Sequence, residues 1–192
     1  MRDDDLSLVR ACLARDASGF QRLLERYRDR IFSFVLRLVR NQADAEDLSQ
    51  ETFLKAFRHL ASYDPSRPFI TWLFRIAHNT VIDFKRRRRV EVVSLDDEDD
   101  PLRLEDGAKP VEEAVEARLE AALADRLLAG LPPIYKEALL LRHKEGMEVA
   151  EIARVIQAPA GTVKARLFRA REMMKERLRR MQPQSRDPRN PG

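Results

Sequence analysis

Between residues 20 and 38 the side chains Phe20, Leu23, Leu24, Tyr27, Ile31, Phe34, Val35 and Leu38 recur at three- and four-residue spacing. Only a helix turns that spacing into one continuous apolar stripe, because a strand alternates its faces in twos. The pattern predicts a long amphipathic helix over 17–40 as the main core element of an N-terminal module. Asp3 to Asp5 place acidic groups ahead of Leu6, Val9 and Leu13, the pattern of a short first helix with favourable charge at its start. Asn41 and Gln42 interrupt the long helix, and Ala45, Leu48, Thr52, Phe53, Ala56, Phe57 and Leu60 restore the period over 43–60. After a turn-rich loop with Pro65 and Pro68, Phe69, Leu73, Ile76, Ala77, Thr80 and Phe84 predict a further helix over 69–88. With six glycines in 192 residues and no alternating segments, the fold class is all-α and no β-rich class fits.

Charge divides the chain. Residues 1–90 carry 18 basic and 12 acidic side chains, 91–116 carry 2 and 11, and 117–192 carry 16 and 9, so two basic modules flank an acidic strap. The strap, from Glu91 to about Pro110, contains Asp96-Asp97-Glu98-Asp99-Asp100 without helical periodicity and reads as an extended, flexible linker. The expected organisation is a helical domain over 1–90, a linker over 91–110, a second helical domain over 111–181 and a disordered tail over 182–192, rich in Pro, Arg and Gln. From Val111 a helix with Ala114, Leu119, Leu123 and Leu127 begins the second domain. Leu131-Pro132-Pro133 restarts it, one proline suiting a first helical turn, and Tyr135, Ala138, Leu139 and Leu141 build a helix that Gly146 ends.

Residues 147–171 then read as a helix-turn-helix. Ile152, Ala153 and Ile156 form an apolar stripe on a short first helix, Ala158-Pro159-Ala160 breaks the chain, and Thr162 stands where it could cap a second helix with Val163 and Leu167 facing inward. Lys164, Arg166, Arg169 and Arg171 fall largely outside that core, as cations do that reach phosphates and guanine edges in a major groove, and Phe168 is placed to touch a thymine methyl. A basic solvated helix in an ordinary bundle is the plainer reading of the same residues.

Two further faces carry chemistry. Asp44, Glu46, Asp47, Gln50 and Glu51 gather on the helix over 43–60, mostly in its first turns, where carboxylates offset the helix dipole. The same surface, with Asp47, Gln50 and Glu51 at i, i+3 and i+4, also suits a basic partner. On the helix over 69–88, Trp72, Arg75, Asn79 and Arg86 gather beside the buried stripe, a mixture that stacks on unpaired bases and holds phosphates. Trp72 also suits a half-buried core position. The five cations Lys85 to Arg89 attract a polyanion or simply solvate a helix end.

Other chemistries are poorly served. The one cysteine, Cys12, excludes an internal disulfide framework and points to a reducing compartment. His59, His78 and His143 lie far apart in sequence, and the consecutive acids of the strap lack the alternation of a calcium loop, so no cofactor or metal is expected. No apolar run has the length of a signal peptide core or a membrane span, so a soluble, cytoplasmic protein without membrane insertion is expected.

Taken in order, Asp44 to Phe57, Phe69 to Asp83 followed by the arginines, Leu131-Pro132-Pro133 and Gly161 to Glu172 resemble a bacterial extracytoplasmic-function sigma factor, the small two-domain class of the primary sigma family, over about residues 6–180. The resemblance implies a transcription initiation factor, not an enzyme, with no small-molecule substrate and a nucleoid association when bound to polymerase. It implies that Asp44, Asp47, Gln50, Glu51 and Phe53 meet core RNA polymerase at the beta-prime clamp helices, with the beta flap as a further contact. Tyr63 and Arg67 in the 61–69 loop, with Trp72, Arg75, Asn79 and Arg86, would hold single-stranded minus-ten DNA. Thr162, Lys164, Arg166, Phe168, Arg169 and Arg171 would read the duplex minus-thirty-five element. An anti-sigma factor is a usual partner in the family, and the acidic strap would thread polymerase channels as a nucleic-acid mimic. Gln157 departs from the glycine often found at the turn of the motif and bears a steric cost if that turn is left-handed. The other class open to these residues is a stand-alone helix-turn-helix regulator. It has no use for the Asp44 to Phe57 helix together with the Trp72 face.

Overall fold

A computed structural model describes residues 2–91 and 123–181, all of whose regular elements are helical. The acidic strap beyond Glu91, the helix expected from Val111 with Ala114 and Leu119, and the tail over 182–192 lie outside the described residues.

The first half contains α1 (Arg2–Leu13), α2 (Ala17–Val39), α3 (Gln42–Arg58) and α4 (Phe69–Glu91), with a short 3-10 turn at Leu60–Ser62. Local chemistry explains the boundaries. Asp16 accepts the Ser18 backbone N–H at 2.8 Å to cap α2, and Asn41 accepts that of Asp44 at 3.0 Å to cap α3. Arg40 ends α2 in the left-handed region (φ 59), and its N–H closes onto the Leu36 carbonyl. The α1–α2 hairpin is tight because Gly19 has no side chain; a Cβ there would stand 2.9 Å from the Ala11 Cβ.

Asp3 to Asp5 were expected to serve the dipole at a helix start, and the packing corrects that for Asp5. Its carboxylate is buried, accepting from the Tyr27 hydroxyl at 2.6 Å and the Arg26 guanidinium at 2.7 Å, while Asp4 pairs with the same arginine. Burial, and then the bond to Asp5, push the Tyr27 phenol far above its ordinary value. Ser49 and Thr52 are tolerated in the core because their hydroxyls donate to the Ala45 and Leu48 carbonyls at 2.6 and 2.7 Å.

The second half contains α5 over residues 123–129, α6 (Pro133–Leu139), α7 (Val149–Val155) and α8 (Ala160–Met181). Pro133 occupies the first turn of α6 after Pro132 at the cap. The helix widens at Leu140–Lys144 into a π turn, in which the Glu145 N–H reaches the Leu140 carbonyl, and Gly146 (φ 68) then reverses the chain. The turn of the helix-turn-helix is left-handed at Gln157 (φ 51), so that residue does carry the cost glycine avoids. Because α8 begins at Ala160, Thr162 lies within its first turn and does not cap it.

One contiguous set of buried side chains runs through both halves. Packing on α4 explains why its expected stripe is too narrow. Phe69, Leu73, Ala77 and Thr80 are buried as expected, and so are Thr71, Phe74 and Val81, with Phe74 meeting Phe34 edge-on at 4.9 Å. Helix α4 has α2 and α3 on one side and α7 of the second half on another, so a wide arc of its surface is covered.

Candidate nucleic-acid interface

Helices α3 and α4 frame an open groove of about 340 Å³, lined in part by Lys55, His59, Trp72, Arg75, Asn79 and Asp83. The side of α4 expected to meet unpaired bases thus contributes Trp72, Arg75 and Asn79 to one wall. Trp72 is half-buried, its ring 5.6 Å from both Tyr63 and Phe69, which fixes the indole without covering it. Arg75 is exposed. Asn79 accepts a hydrogen bond from the Gln157 amide at 2.7 Å. Lys55 and His59 complete the groove and were not legible as partners of α4, because only the α3–α4 packing brings them there. Lys55 also donates to Thr80 at 3.2 Å and pairs with Glu51 at 2.8 Å.

Three of the residues expected at this DNA surface are engaged within the chain. Tyr63 is buried, its hydroxyl donating to the Arg67 carbonyl at 2.5 Å, so it buttresses the loop and the Trp72 ring and does not present a face to a base. Arg67 is exposed but paired with Asp64 at 3.1 Å, and Arg86 with Asp83 at 2.8 Å, at the far end of α4 from the loop. Within the basic run, Lys85 is withdrawn to donate to the Leu38 carbonyl at 2.9 Å, and burial lowers its pKa from the ordinary lysine value.

The acidic face of α3 separates into layers. Asp47 and Gln50 are exposed. Asp44 and Glu51 are half-buried against the end of α4, with Asp44 at 3.2 Å from Arg88 and Glu51 at 3.9 Å from Arg87. Phe53 is buried in the core, so the expectation that it contacts a partner is corrected: it anchors α3 beneath that face.

On α8, Val163, Leu167 and Ala170 are buried against the rest of the second half. The helical step of about 100° per residue puts Thr162, Arg166 and Arg169 on one flank of that line and Lys164, Phe168 and Arg171 on the other. All are exposed except Arg166, which is half-buried, and Phe168 stands out as an apolar ring 65% exposed. His143, at the end of the π turn, has its pKa lowered by burial first and then by Arg171 and Arg142.

Among the described residues no helix is long and apolar enough to cross a membrane. Fold and surfaces together define an all-helical protein whose second half is a helix-turn-helix with a cationic second helix. Comparison with known proteins makes this specific: the model for Sigma-70 region 2 matches residues 23–91, and that for Sigma-70, region 4 matches residues 121–174. SigW of Bacillus subtilis, an ECF RNA polymerase sigma factor, is 32% identical over 85% of this chain and 91% of its own length. The ECF RNA polymerase sigma-E factor of Haemophilus influenzae is 33% identical over 91% and 95%. Among solved structures, CnrH in complex with the cytosolic domain of CnrY is similar with a TM-score of 0.67 and 26% identity, over 93% of this chain and 99% of that one. RpoE of Bartonella quintana, in complex with the anti-sigma factor NepR, shares the fold with a TM-score of 0.69 and 22% identity, over 86% and 100%. This chain belongs to the extracytoplasmic-function RNA polymerase sigma factors, and the matching models place it under sigma-70, not under the primary sigma factors as such.

Proposed function

We propose that this sigma factor divides its work among three surfaces. The exposed Asp47 and Gln50 of α3, with Asp44 and Glu51 behind them, dock on the beta-prime clamp helices of core polymerase, and the second domain meets the beta flap. The α3–α4 groove receives the melted minus-ten strand, its indole stacking on an unpaired base while Arg75 and Lys55 hold phosphates; a preformed site of this kind offsets the few kcal/mol that unstacking costs. Helix α8 enters the duplex major groove at the minus-thirty-five element. Because its candidate residues occupy two flanks, one flank reads base edges while the other grips backbone. Polymerase performs the phosphodiester chemistry, the cytoplasm is the place of action, and an anti-sigma factor is the natural protein antagonist.

The observation that supports this reading best is the grouping of Trp72, Arg75 and Asn79 on one wall of an open groove whose other wall supplies Lys55 and His59. The test is purified transcription with core polymerase and a genomic fragment library, which yields the promoter directly. In the same assay Asp47→Lys should weaken polymerase association while leaving the fold intact, since an exposed charge contributes little to stability. Unchanged affinity in a titrated pull-down would remove this α3 face from the docking surface.

A further inference from the structure

The acidic face of α3 and the groove beside it share their ion pairs. Asp44, Glu51 and Lys55 are seven and four residues apart on α3, so the helical step stacks them within about 40° along the edge that packs on α4. Their partners run antiparallel along α4. Lys55 donates to Thr80 at 3.2 Å, Arg87 stands 3.9 Å from Glu51, and Arg88 pairs with Asp44 at 3.2 Å. Glu51 also pairs with Lys55 at 2.8 Å, so two carboxylates hold three cations. Lys55 lines the groove, and Arg87 lies about 10 Å of helix beyond Thr80 along the same seam. The arginine heads are at least half in water, while the carboxylates lie half-buried behind them. Pairs this exposed are held weakly, so either side accepts a substitute partner at little cost.

We propose that Arg87 and Arg88 are phosphate ligands for the DNA strand leaving the groove, and that Asp44 and Glu51 hold them, with Lys55, until polymerase takes the carboxylates. The proposal rests on the α3 face being the polymerase surface and the α3–α4 groove being the minus-ten site. A basic partner that covers α3 offers Asp44 and Glu51 new counter-charges, and the three cations then face DNA uncompensated. The exchange is reciprocal: phosphates that draw off Arg87 and Arg88 leave the two carboxylates open to polymerase, and each ligand tightens the other by the same factor. Lys85 takes no part because it is withdrawn onto the Leu38 carbonyl, and Arg86 is occupied by Asp83 on its own helix.

The test compares the full parent chain with Asp44→Asn/Glu51→Gln, with Arg87→Gln/Arg88→Gln and with the fourfold variant. Glu25→Gln/Asp29→Asn, at exposed acids of α2, is the control that changes net charge equally. Each free chain is titrated onto fluorescein-labelled oligothymidine over a salt series, and separately onto core polymerase. Neutralising Asp44 and Glu51 should raise the free chain's affinity for the strand about two- to tenfold at low salt. It should also steepen the salt dependence by about 0.7 in log–log slope per cation released, and the fourfold variant should lose both gains. Arg87→Gln/Arg88→Gln should tighten polymerase binding about two- to fivefold, an effect that a merely structural role for the arginines does not produce. An equal gain in strand affinity from the α2 control, or a gain that survives loss of the arginines, overturns the proposal. Polymerase binding that the arginine variant leaves unchanged or weakens does the same. Asp47→Lys in the polymerase titration separates this from failure of the docking reading. If it weakens binding while the arginine variant does not tighten it, the exchange alone is refuted. If neither Asp47→Lys nor Asp44→Asn/Glu51→Gln changes polymerase affinity, the docking face is refuted and the release step with it.

Discussion

Phe168→Ala is expected to separate function from stability. The ring is 65% exposed on α8, so the folded protein gains little from it, and truncation should change stability by no more than about 0.5 kcal/mol. For a chain of this size that is a melting shift of about 1–2 °C. Binding is another matter. Full burial of a phenylalanine is worth roughly 1.5–3 kcal/mol, and about two-thirds of this side chain is still in water, so covering it in a major groove is worth about 1–2 kcal/mol. That corresponds to about a five- to thirtyfold loss of promoter affinity in the mutant. The assay is run-off transcription and duplex binding by holoenzyme on minus-thirty-five elements in which each thymine is replaced in turn by uracil, which lacks the methyl group. One uracil should cost the parent protein and cost Phe168→Ala nothing further. If the alanine variant binds as tightly as the parent, or if it loses affinity while no uracil matters to the parent, the ring does not read a thymine methyl.

Trp72→Ala and Asn79→Ala should reduce open-complex formation on a duplex promoter more than on a template with a pre-melted bubble, since the bubble already supplies the unstacking energy; permanganate footprinting that shows equal losses on both would return these residues to a packing role. Asp5→Ala strands the buried Tyr27 hydroxyl and half of the Arg26 pairing, and should cost about 1–3 kcal/mol in urea unfolding, whereas Asp29→Ala, at an exposed ion pair, should cost almost nothing. The His143 imidazole titrates below its ordinary value, so its contribution to stability is complete above that ordinary value and is lost as pH falls from there through the folded-state pKa. Arg171→Ala removes one of the charges that disfavour protonation and should move the NMR titration midpoint of His143 upward, though not fully, because burial is the larger cause.

Helix positions were legible because the code for them is local. The stripe from Phe20 to Leu38, the asparagine before α3 and the prolines before α6 each act within a few residues, and α2, α3 and α6 form where they indicate. The cationic second helix of the helix-turn-helix was legible for the same reason. What sequence could not weigh was anything requiring two helices at once. Tyr63 and Phe53, which the resemblance alone put at partner surfaces, are buried, Lys55 and His59 looked unrelated to α4 and line its groove, and Asp5 looked like a charge serving a helix dipole and is half of a buried network. Phe74, one position outside the expected stripe, is in the core because α4 is covered from two directions. Periodicity reports how much of a helix is apolar and along which line; which surface meets which depends on contacts between residues far apart in the chain, and only the folded chain sets those distances. Gln157 shows the division at one residue: sequence marks it as a costly choice for a left-handed turn, and tertiary structure alone shows that its amide spans to Asn79.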